Sequence, residues 1–170
     1  AIPLHWKIVV IISLVVVLLL FVGARRDFKV THAFEEQSAN EAAFFRDWYS
    51  KKGRLVIFCT DFDWLDDEKY EGVVRALKDK AKDKHLSVYL KDYSHPIVDD
   101  LVRRGAELYR VRSDIKSEHR FSININEHVY SIIIRNKKTE PMNITVEEYI
   151  DHRALANLGL DMLKDSYIPT

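Results

Sequence analysis

Residues 54–61, Arg54-Leu55-Val56-Ile57-Phe58-Cys59-Thr60-Asp61, decide how this chain folds. Five consecutive apolar side chains leave no polar face, so the segment reads as a short β-strand buried on both sides. Thr60 and Asp61 then put polar groups at its carboxyl end. A strand covered on both faces needs packed layers above and below the sheet, and the flanking sequence supplies them. Residues 67–84 carry Tyr70, Val73, Val74, Leu77 and Ala81 at helical spacing, with acids and lysines on the outer face. Leu86–Leu90 reads as a second strand. His95-Pro96 opens a helix through Ile97, Val98, Leu101 and Val102 that Gly105 closes, and residues 106–111 give a third strand. Strand, helix, strand, helix, strand at this spacing implies right-handed crossovers.

Beyond Arg120 the pattern changes. Phe121, Ile123 and Ile125 alternate with Ser122, Asn124 and Asn126, and residues 129–134 form a further apolar run, so a hairpin turning at Asn126-Glu127 is expected. A helix over 146–163 follows, with Thr145 and Glu148 at capping-box spacing. Upstream, residues 31–50 read as a helix through Phe34, Ala42, Phe45, Trp48 and Tyr49, stopped by Lys51-Lys52-Gly53. The expected fold class is α/β: a mainly parallel sheet with flanking helices and a C-terminal hairpin plus helix, preceded by one transmembrane helix.

That last element comes from Ile8 to Ala24, IVVIISLVVVLLLFVGA, which carries no charge and approaches the length of a bilayer core. Trp6 and Phe21 stand near its ends. Arg25, Arg26 and Lys29 follow it, and the positive-inside bias places the rest of the chain in the cytosol, as a single-pass membrane protein. Val22-Gly23-Ala24 also resembles a cleavage site, which would export the domain instead. The expected division is an anchor over 1–27, a connector helix over 28–53 and an α/β domain over 54–170. The expected partners are the bilayer through 8–24 and either a second copy or a membrane protein.

Lys plus Arg, 26, equals Asp plus Glu, 26, so composition indicates no nucleic acid. The single cysteine, Cys59, cannot build a disulfide framework, and its buried strand argues against a thiolate nucleophile. His85, His95, His119, His128 and His152 lack zinc-helix spacing, so neither metal nor cofactor is expected. His152 lies one helical turn after Glu148, which suits a surface pair.

LVIFCTDFDWLDDE, SHPIVDDLVRRGAELYRV and HRFSININEHVYSIII together resemble one half of the phospholipase D-like superfamily, over roughly residues 54–166. That resemblance implies a histidine, a lysine two residues on and an acid five beyond. With His119 in the histidine place, Phe121 and Asn126 replace the other two. With Arg120 in the lysine place, Glu118 and Ile125 do. Either register implies a degenerate, non-catalytic pseudoenzyme. The second puts Arg120, Ser122 and Asn124 on one exposed face as a ligand-binding surface. The sequence reading is therefore a sensor, adaptor or assembly subunit at the membrane.

Two alternatives stand beside it. Asp61-Phe62-Asp63 resembles the nucleophile and acid-base pair of haloacid-dehalogenase-like phosphatases, which would make the chain a Mg²⁺-dependent phosphoesterase through Asp61 and Asp63, or a histidine-type one through His119. The plain reading of those aspartates is a strand end followed by helix caps. The other alternative is an accessory subunit of a larger membrane complex.

Overall fold

A computed structural model describes residues 28–112, 120–137 and 143–168. Eight strands form one sheet in the order β1-β7-β6-β5-β2-β3-β4-β8. In chain order they are β1 (Phe28–Glu35), β2 (Arg54–Cys59), β3 (Leu86–Leu90), β4 (Glu107–Val111), β5 (Arg120–Asn126), β6 (Val129–Lys137), β7 (Asn143–Ile150) and β8 (Tyr167–Ile168). The helices are α1 (Ala39–Tyr49), α2 (Glu71–Lys82), α3 (Pro96–Arg104) and α4 (Arg153–Ser166).

β2 is the strand the sequence promised. Leu55, Ile57 and Cys59 enter one apolar cluster with α1, α2 and α3, whereas Val56 and Phe58 enter a second with α4. The two crossovers β2-α2-β3 and β3-α3-β4 are parallel as expected, and β5 and β6 form the expected hairpin. The sheet as a whole is not mainly parallel. Every other neighbouring pair, β1-β7, β7-β6, β6-β5, β5-β2 and β4-β8, runs antiparallel. The fold is mixed α/β, with the sheet changing character between β2 and β5.

Two helix expectations are corrected. Residues 28–35 form β1, paired along its whole length with β7, and α1 begins only after Ser38, whose Oγ accepts from the Glu41 N–H at 3.1 Å. The region expected as a connector thus supplies a strand to the same sheet and a helix to the same core. Residues 143–150 form β7, and the last helix starts at Arg153, capped by His152 Nδ1 accepting from Leu155 N–H at 3.2 Å. In place of the expected box with Thr145 or a pair with His152, Glu148 turns inward. Its Oε1 accepts from Trp48 Nε1 at 3.0 Å and from Lys51 Nζ at 2.9 Å, and its Oε2 meets His32 Nε2 at 3.0 Å.

The expected membrane helix over 8–24 lies outside the described residues. Among the described residues no helix is long and apolar enough to cross a membrane. The longest, α4, has 14 residues and so spans roughly 21 Å, short of a hydrocarbon core of about 30 Å. Over the described residues this corrects the assignment of a single-pass membrane protein: none of their helices supplies a span. Lys29, expected as a flanking positive charge, sits in β1 and pairs with Glu147 at 2.7 Å.

Gly53, with φ +109°, carries the chain from α1 into β2, and a Cβ there would run into the Ile125 backbone oxygen. Gly53→Ala should destabilise the fold by more than about 1 kcal/mol, read as a lower midpoint in urea. Burial raises the Glu148 carboxyl, but its bonds to Lys51, His32 and Trp48 outweigh that and hold it below the usual range. A depressed acid contributes stability that is complete above the ordinary glutamate value and is lost as pH falls through the lower folded value. Glu148→Gln should therefore flatten the acid limb of a stability-versus-pH curve and cost about 1–3 kcal/mol at pH 7.

Candidate functional site

At the carboxyl end of β2, where the sheet changes from parallel to antiparallel, lies a cavity of about 200 Å³. Crevices beyond strand carboxyl ends at such a change of direction are where open α/β sheets bind ligands. Cys59, Thr60 and Asp61 reach it from β2 and the following turn, Arg120 from β5, Arg135 from β6, and Trp64 and Tyr70 from the loop leading to α2.

Arg120 is the central group. It begins β5 on the side facing α1, is only 8% exposed, and its guanidinium carbon lies 3.8 Å from the Trp64 ring centroid and 4.5 Å from that of Phe45. Both rings lie within cation–π distance of it, a favourable arrangement when desolvated. Its edge is poorly served. Nε and Nη2 are buried with no hydrogen-bond partner, and Nη2 reaches Glu41 Oε1 only at 3.8 Å. An unpaired buried donor costs about 1–3 kcal/mol, and more when charged. Burial, reinforced by the like charge of Arg135, pulls Arg120 below the ordinary guanidinium value.

Glu41, fully buried in the first turn of α1, accounts for Arg135. Arg135 Nε donates to Glu41 Oε1 at 2.7 Å, and Glu41 Oε2 accepts from the Gln37 N–H at 2.8 Å. Arg120 and Arg135 are direct cross-strand partners, a like-charge pair that destabilises a sheet unless an acid lies between. Tyr70 lies beside this cluster, and its hydroxyl is pushed up, first by burial and then by the Glu41 carboxylate.

Of the residues singled out from sequence, Arg120 lines the cavity. The expected exposed face of Arg120, Ser122 and Asn124 is instead buried beneath α1, because β5 is covered on both sides. Ser122 Oγ is committed to Tyr49 Oη at 3.0 Å. Asn124 is buried farther along the strand opposite Leu55, its Nδ2 unpartnered. The aspartates separate: Asp61 lines the cavity, whereas Asp63 is exposed and does not. Asp61 Oδ1 accepts the Asp63 N–H at 3.2 Å, and Asp67 caps the next turn by accepting from Lys69 N–H, the capping role expected of this loop. His119 lies outside the described residues. Among the described residues no three His, Cys, Asp or Glu side chains converge as a metal site. Glu41, Arg135, Trp64 and Tyr70 were not anticipated as site residues, although Ser38-Ala39-Asn40-Glu41 carries a capping-box pattern that announces the true start of α1.

No protein-family model matches the chain, and no curated protein does. Among solved structures it is similar to polyphosphate kinase from Porphyromonas gingivalis, at 9% identity and a TM-score of 0.57, over 83% of this chain and 24% of that one. It is also similar to TrmBL2, described as an archaeal chromatin protein with a novel mode of DNA binding, at 10% identity and a TM-score of 0.51, over 95% of this chain and 60% of that one. The chain thus spans less than two thirds of either. Identities this low show the fold alone. Membership of the phospholipase D-like superfamily is corrected accordingly: no family match supports it, and its motif positions either depart from the pattern or lie outside the described residues.

Burial pushes the Cys59 thiol up to about 12, against the opposing pull of Arg120. In the native protein at pH 8 a thiol reagent should label Cys59 only at the rate of unfolding, and denaturant should release full reactivity within the mixing time.

Proposed function

We propose that the chain is a non-catalytic binding module that captures a small anionic ligand in the cavity at the end of β2, as a sensor or adaptor would. One observation carries this reading: Arg120 is buried at the cavity, packed against Phe45 and Trp64, with its Nε and Nη2 lacking hydrogen-bond partners. Arg135 has its acid and Arg120 only a distant share of it. A buried guanidinium packed against two rings is pre-organised, so little side-chain freedom is lost when an anion binds it. Glu41 matches Arg135 and leaves Arg120 as the under-partnered cation of the cavity.

The separation of Asp61 from Asp63 favours binding over aspartate-type phosphoryl transfer, because the two carboxylates do not share the cavity. Asp61 has a backbone N–H as its partner and no positioned base.

The test has two arms on the full chain. Small anions as a class should raise the melting temperature of the wild type and leave Arg120→Gln unmoved. Generic phosphodiester and phosphomonoester substrates, with and without Mg²⁺, should show no turnover. Turnover abolished by Asp61→Asn or His119→Ala would replace this reading with an enzymatic one.

A further inference from the structure

The cavity carries both signs of charge, and the bookkeeping of its partners narrows the ligand. Four charged side chains line it: Glu36, Asp61, Arg120 and Arg135. Two are already matched, Arg135 by Glu41 at 2.7 Å and Glu36 by Lys137 at 3.0 Å. Arg120 and Asp61 remain, one with unpartnered N–H groups and the other holding a single backbone N–H at 3.2 Å, and no ion pair joins them among the described residues. An anion approaching the Arg120 fork therefore does so in the field of the Asp61 carboxylate, with Glu41 behind the guanidinium. A dianion such as phosphate would gain one cation and face two acids. A group with one negative and one positive end would satisfy both.

Size points the same way. About 200 Å³ lies below the 300–1,000 Å³ usual for drug-sized or cofactor sites, which excludes a nucleotide and suits a molecule of a few non-hydrogen atoms. The Arg120 guanidinium packs against the Phe45 and Trp64 rings, and a planar guanidinium suits the planar fork of a carboxylate.

Resting on the binding-module reading, we infer that the ligand is a small zwitterion of the amino-acid class, its carboxylate on Arg120 and its ammonium toward Asp61. No bond is made or broken.

Isothermal titration of the full chain with 4-aminobutyrate, butyrate and inorganic phosphate tests this. The aminobutyrate should bind, with butyrate and phosphate each weaker by about tenfold or more, since a site built around polar groups rejects an analogue that leaves one unpaired. Arg120→Gln should abolish binding. Asp61→Asn, a change at a partly exposed loop that leaves the buried cluster intact, should bring aminobutyrate and butyrate to within about twofold of each other, for the same reason. This second variant keeps the test decisive if Arg120→Gln does not fold. Phosphate binding as tightly as aminobutyrate, in an Arg120-dependent way, would overturn the ligand class and leave the anion site standing. Equal affinity for aminobutyrate and butyrate in the wild type would overturn the role of Asp61. Silence with all three probes would overturn the inference and the binding reading together.

Discussion

Glu41 is a carboxylate with no exposure at all, and placing it there constrains much of the molecule. A buried acid is tolerable only if paired and fully hydrogen-bonded. Its partners come from three places: Gln37 in the turn before α1, Arg135 on β6 and, at longer range, Arg120 on β5. Satisfying it fixes how α1 lies across the antiparallel half of the sheet. The same helix makes further polar contacts along its length, Tyr49 with Ser122 and Trp48 with Glu148. α1 is thus docked by polar anchors as well as by Ala42, Phe45 and the rest of its apolar face.

The site follows from that docking. β5 and β6 bring two arginines side by side, and α1 delivers one acid between them, nearer to Arg135. The mismatch of two cations to one anion leaves Arg120 under-partnered. The loop after β2 then closes Trp64 over its face and turns Asp61 toward the same space. The acid that pairs Arg135 is also what leaves Arg120 without a matched partner.

The errors of sequence reading share one cause. Alternation of Arg120, Ser122 and Asn124 with Phe121, Ile123 and Ile125 identified β5 correctly, yet the polar set was read as facing water, when it faces a helix whose own polar side chains meet it. Likewise Glu148 at capping-box spacing from Thr145 suggested a helix start, when it is a strand residue bonded to Trp48 and Lys51 from the far side of α1. Local pattern cannot tell a polar group that is solvated from one paired across a hundred residues. Residues 28–35 show the same limit: their pairing with β7 lies more than a hundred positions away, beyond any periodicity window.

By itself the sequence determined what depends on neighbours along the chain. Burial of β2 on both faces, the two crossovers that follow it, the β5-β6 hairpin and the burial of Cys59 all rest on apolar runs and turn residues that act locally. Tertiary structure alone decided the direction of most strand pairs, the strand identity of β1 and β7, and the cavity itself. Those depend on which buried charges meet, and Arg120 is left with unmatched nitrogens only because the fold removes it from water beside an acid already taken by Arg135.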